Sequence, residues 1–107
     1  NVVRWGSEEF FVPYTSPIDK KQHKYYPDFI AEIKDKGGSI QTYVIEVKPD
    51  KQTRPPVKPK KQTKTYRTNV FTYLTNEAKW KATESVCEKK DWKFVLLTEK
   101  HLFKDKK

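Results

Sequence analysis

The sequence predicts an α/β domain with a βββαβ core and a mixed sheet. Three observations carry this reading. Two strand-like runs, 24–34 and 39–48, flank a glycine turn; helical spacing sets in after about residue 61; and an apolar run, WKFVLLTEK, follows the helix. A strand placed after a helix in this way returns beside an existing strand, parallel to it, through a crossover connection.

Each element has its own signal. EEFFVPYTS, 8–16, is rich in aromatic and β-favouring residues and stops at Pro17, so it reads as the first strand. IDKKQHK is a polar turn. KYYPDFIAEIK, 24–34, alternates, with Phe29, Ala31 and Ile33 on one face and Asp28, Ile30 and Glu32 on the other. Pro27 predicts an edge position or a bulge there. DKGGS, 35–39, is a hairpin turn leading into SIQTYVIEVK. KPDKQTRPPVKPKKQTK, 48–64, holds seven basic residues, one acid and four of the seven prolines, a composition that suits a stiff extended loop. Tyr66, Val70, Tyr73 and Leu74 have helical spacing, and Asn76 reads as the N-cap of a second helix or of a kinked continuation, NEAKWKATESVCEKK. The last strand spans 92–100, and 104–107 reads as a tail.

The totals narrow the function. One domain fits 107 residues, and 14% aromatics offset a mean hydropathy of −0.97. No apolar run is long enough for a bilayer and no signal peptide is visible, so no membrane role is expected. The single cysteine, Cys87, excludes an internal disulfide and reads as a small buried hydrophobe; an intracellular or capsid-enclosed setting fits it. The absence of methionine reads as an incomplete beginning. Lys and Arg total 23 against 14 acids, a formal charge of +9 that favours polyanions, with nucleic acid first among them.

The chemistry lies in YVIEVK. On this strand Val44, Glu46 and Lys48 share a face, so a carboxylate and an ammonium sit together where a strand is normally uniform. A hairpin pivoting on Gly37 sets Asp28 opposite Glu46, with Cβ atoms roughly 5 Å apart. Like charges so placed repel unless a cation lies between them. Asp28, Glu46 and the Val47 carbonyl are therefore expected to hold Mg²⁺ or Mn²⁺, with Lys48 serving the attacking water, as in a phosphodiesterase. Lys58, Lys60, Lys61, Lys64 and Arg67 are expected to track a DNA backbone beside that centre. Tyr25, Tyr26, Trp80 and Trp92 read as packing groups. On the bland reading, Glu46 and Lys48 form a solvated ion pair on a surface hairpin.

YYPDF followed by IEVK resembles the PD-(D/E)xK nuclease superfamily, which includes restriction endonucleases, junction resolvases and TnsA-type transposon endonucleases. The run from VVRWGSEEF through EVKPDKQTRPPVKPKK and NEAKWKA to FVLLTEK is similar to the head completion nucleases of large contractile-tailed phages. The resemblance implies a restriction-endonuclease-like fold and Mg²⁺-dependent cleavage of double-stranded DNA or DNA ends during phage head completion. It also implies capsid or portal proteins as partners and a virion or host-cytoplasm location. Two alternatives stand beside it: a non-catalytic DNA clamp at the portal, and a Holliday junction resolvase. The superfamily supplies a further acid from a helix ahead of the first strand. That helix is expected to be absent from this chain, either lost or replaced in its role by Glu8 or Glu9, with Glu9 the candidate third acid.

Overall fold

In a computed structural model, residues 2–7 and 10–103 are described. Strands β1 (Val2–Gly6), β4 (Phe29–Lys34), β5 (Ile40–Val47) and β6 (Lys93–Leu97) form one sheet in the order β1-β4-β5-β6. The first two pairings are antiparallel, and β6 runs parallel to β5. Helix α1 (Lys64–Lys90) makes the crossover between β5 and β6. The sheet thus has the expected βββαβ order and mixed polarity. A two-stranded antiparallel ribbon, β2 (Val12–Thr15) and β3 (Gln22–Tyr25), is inserted between its first and second strands.

The strands at the start of the chain differ from expectation. The first sheet strand is Val2–Gly6, not 8–16. Among the described residues of 8–16 the strand is Val12–Thr15, and it belongs to the ribbon; its inward pair, Val12 and Tyr14, is buried while Pro13 and Thr15 are exposed. The run 24–34 is likewise cut in two at Tyr26-Pro27-Asp28, because proline has no N–H to continue the ladder. Glu8 and Glu9 lie outside the described residues, as does the tail 104–107.

The hairpin register is the expected one. Phe29 pairs with Ile45, Ile30 with Val44 and Ala31 with Tyr43, a register that one residue further sets Asp28 against Glu46. The turn is closed by Gly38 N–H to the Asp35 carbonyl at 3.1 Å, and Gly38 takes φ 87°, a conformation open to glycine. Asp35 Oδ1 accepts from Ser39 N–H at 2.9 Å and braces the turn.

Helix α1 is continuous for 27 residues, about 40 Å. Its N-cap is Thr63, whose hydroxyl accepts from Tyr66 N–H at 3.0 Å. Asn76 is therefore no cap but a buried mid-helix residue. The helix ends at Asp91, in the left-handed region, with its N–H turned back to Cys87 and Glu88 carbonyls, and Lys89 and Lys90 complement the dipole of the last turn. The basic stretch 48–64 is irregular apart from a 3₁₀ turn, Asp50–Thr53, and Lys64 already belongs to the helix.

Only the second half of α1 packs in the core. Trp80 joins Val12, Tyr14 and Tyr25 of the ribbon, flanked by Phe10, Ala78, Ala82, Val86, Phe94 and Leu96. The covered face of the sheet is the one carrying Val44 and Glu46, since Phe94 and Leu96 pair beside them and enter this cluster. Burying Val12 and Val44 completely contributes roughly 1.5–3 kcal/mol each. Cys87 is buried, as expected, and burial raises its thiol pKa. Tyr26 is not a core residue; it is about half exposed and lies against Phe11. The opposite face of the sheet is only partly covered among the described residues: Ala31 is buried and Tyr43 and Ile45 are half-buried, while Trp5, Phe29 and Val47 are exposed. No helix among the described residues is long and apolar enough to cross a membrane.

Candidate active site

Asp28 and Glu46 meet where β4 and β5 begin and end. The break at Pro27 frees the Asp28 side chain to fold back on the neighbouring strand, where Oδ2 accepts from Val47 N–H at 2.9 Å. In return Asp28 N–H reaches Glu46 Oε1 at 3.4 Å. Each carboxylate thus accepts from the main chain beside the other at the end of the hairpin.

Glu46 is only 4% exposed, an uncommon place for a carboxylate. Two groups hold it. Tyr25 donates its hydroxyl to Oε1 at 2.5 Å from the end of the ribbon, and Lys48 Nζ stands 3.4 Å from Oε2. Burial, then the bond and charge of Glu46, push the Tyr25 phenol pKa far up, so it stays a donor at any ordinary pH. The Lys48 backbone is fixed in turn, its N–H donating to the Leu97 carbonyl at 2.9 Å. With 30% of its side chain exposed, Lys48 stands at the border between the buried acid and solvent.

A second lysine reaches this place from α1. Lys79 lies over the rings of Tyr14 and Tyr25, 5.8 and 5.6 Å from their centroids. Burial lowers its pKa, as does the charge of Lys48, while Glu46 opposes them. Neither Lys79 nor the hydroxyl of Tyr25 was marked as functional by the sequence pattern. Both belong to elements that meet the hairpin only through tertiary packing; the weak signal was the position of Lys79 in the run NEAKWKA. The indole N–H of Trp80, next along, is buried without a hydrogen-bond partner.

The carboxylates suit a hard cation. Among the described residues no three His, Cys, Asp or Glu side chains converge, so the set is two carboxylates and main-chain oxygen such as that of Val47. Asp28 engages one of its oxygens with Val47 N–H and keeps the other available, and Oε2 of Glu46 meets only the lysine ammonium. Two oxygen donors with room for water match Mg²⁺, which retains several waters when bound by protein.

The basic loop is anchored by its one acid. Asp50 Oδ2 accepts from Arg54 at 2.6 Å and pairs with Lys100 at 3.2 Å, and Asp50 N–H donates to Glu99 Oε1 at 2.8 Å. The remaining cations stay available. Lys58, Lys60, Lys61, Lys64 and Arg67 are all exposed and none forms an ion pair among the described residues. Lys58, Lys60 and Lys61 lie on the loop, whereas Lys64 and Arg67 stand on the first turn of α1.

The model of the TnsA-like endonuclease N-terminal domain matches residues 1–99. The head completion nuclease of Enterobacteria phage T4 is 39% identical over 102 residues, a match covering 92% of this chain and 65% of that protein. The chain thus spans just under two thirds of the relative's length. No solved structure matches it. With a mixed sheet in βββαβ order and a family match over almost all its length, the chain belongs to the TnsA-like endonuclease N-terminal family.

Proposed function

We propose that this chain is a metal-dependent DNA endonuclease that hydrolyses phosphodiester bonds, acting on DNA ends as a phage head is completed. The observation that carries this reading is the joining of Asp28 and Glu46 at one end of the hairpin, with the Lys48 amine 3.4 Å from Glu46. The printed name of the phage T4 relative supports the setting in head completion, and with it capsid or portal partners.

In this reading Asp28, Glu46 and the Val47 carbonyl hold Mg²⁺ or Mn²⁺. Bound there, the ion supplies positive charge to the phosphate and acidifies a water. Lys48 orients the attacking water and stabilises charge developing on the phosphoryl oxygens. Water oxygen bonds to phosphorus as one P–O ester bond breaks, leaving a phosphate on one end and a hydroxyl on the other. Tyr25 keeps Glu46 in place, and Lys58, Lys60, Lys61, Lys64 and Arg67 hold the backbone on either side.

A plasmid nicking assay tests the reading. Wild type should nick supercoiled plasmid with Mg²⁺ and not with EDTA, and Asp28→Ala should fall to background. Equal behaviour of wild type and Asp28→Ala would instead favour the non-catalytic clamp.

Tyr25→Phe should be informative beside it. The hydroxyl orients a ligand rather than meeting substrate, so its loss should reduce activity by about 10- to 100-fold, chiefly by raising the Mg²⁺ concentration needed for half-maximal cleavage. Excess Mg²⁺ should recover most of the rate. A drop in rate that excess Mg²⁺ leaves untouched would remove Tyr25 from this role.

A further inference from the structure

A cleft of about 740 Å³ lies between the basic loop and the first half of α1. Its floor is a stripe of the helix, Tyr66, Asn69, Tyr73 and Asn76, and Pro55 and Pro56 face it from the loop. The same stripe continues through Trp80, Thr83 and Cys87, which are buried. One line of residues therefore serves as core in the second half of the helix and turns to phenols and amides in the first. A merely solvated helix face would carry charges there, yet Lys64 and Arg67 stand beside the stripe and not in it.

Asn76 is the second observation. It is only 7% exposed, lines the cleft, and its side chain makes no hydrogen bond among the described residues. The amide reaches solvent only through the cleft, so its two donors and one acceptor are offered to a polar ligand there. Asn76 also stands one helical turn from Lys79, which neighbours Lys48 and Glu46. The end of the cleft at Asn76 is thus one helical turn from the lysine that stands beside the acidic pair.

We propose that this cleft binds an unpaired nucleotide of the DNA strand leading to Asp28 and Glu46, so that the preferred substrate carries a single-stranded end. The inference rests on the reading of the chain as a DNA nuclease and adds its substrate class. The dimensions and chemistry agree. The volume is that of a small-molecule site and is ample for one nucleotide. Tyrosine and proline rings offer flat surfaces for a base, and the asparagine amide pairs with its edge. Inside a duplex the faces and Watson–Crick edges are occupied; in an unpaired nucleotide they are open.

Fluorescence anisotropy in EDTA, where no cleavage occurs, tests this with a blunt duplex and the same duplex bearing a four-nucleotide tail. Wild type should bind the tailed duplex about tenfold more tightly. That ratio should approach one in Asn76→Ala and in Tyr66→Ala, the latter lying outside the core and guarding against a folding defect at Asn76. Asp28→Ala should keep it. A 2-aminopurine in the tail should change its fluorescence on binding wild type and not on binding Tyr66→Ala. Equal affinity of wild type for both duplexes, or a preference that survives in both cleft variants, overturns the proposal. A nicking enzyme without tail preference would refute the cleft alone. A tail preference in a protein that never nicks would refute the nuclease reading alone.

Discussion

Lys48→Ala is expected to lower DNA cleavage by about two to three orders of magnitude while DNA binding persists. The amine stands 3.4 Å from Glu46 Oε2, on the solvent side of a carboxylate that is otherwise enclosed. No neighbour along the chain can replace it, since Val47, the last residue of β5, is apolar and Pro49 follows. Lys79 is near, but it arrives from α1 over the tyrosine rings. The five exposed cations proposed to hold the backbone are untouched, so the affinity for DNA should change little. Removing the amine also leaves Glu46 buried without its counter-charge, at a cost of about 1–3 kcal/mol, so thermal melting must accompany the assay. A variant that stays folded and cleaves within tenfold of wild type would exclude Lys48 from the chemistry.

The largest effect on stability is expected at Trp80. It is 8% exposed and joins the helix to the ribbon through Val12, Tyr14 and Tyr25. Trp80→Ala should cost about 3–5 kcal/mol, read as a fall in the urea midpoint. Much of a small domain's stability would go with it. Because Tyr25 closes the same cluster and grips Glu46, cleavage should fall ahead of global unfolding as the ribbon loosens. Trp80→Phe should be much milder, for it keeps an aromatic ring in the cluster. A loss below 1 kcal/mol for the alanine variant would mean that the ribbon is held by other contacts.

Legibility in the sequence followed the range of the interactions. The hairpin was readable because DKGGS fixes its own turn, and the alternation on both sides then leaves one register for Asp28 and Glu46. The parallel return of β6 followed from a helix preceding an apolar run. Errors arose where a local preference competed with packing. Asn76 favours a cap, yet α1 runs through it because Trp80, Thr83 and Cys87 beyond it are buried together. VVRWG has β-favouring Val2, Val3 and Trp5 but is short, lacks alternation and stops at Gly6, and it becomes β1 by pairing along β4. The run 8–16 looked like a sheet strand, although its middle belongs to a ribbon that folds over the helix. Lys79 and the Tyr25 hydroxyl reach Glu46 only when helix, ribbon and hairpin are assembled, and no spacing along the chain encodes that meeting.

The partly covered outer side of the sheet makes the chain's behaviour depend on which salt surrounds it. A charge of +9 keeps copies apart in dilute buffer, and any electrolyte weakens that repulsion. Sulfate and phosphate act twice, since they also favour withdrawal of Trp5, Phe29 and Val47 from water. Clumping driven this way would mimic the weakening of DNA affinity by counterion release. Titrations in chloride, with light scattering alongside, keep the two apart.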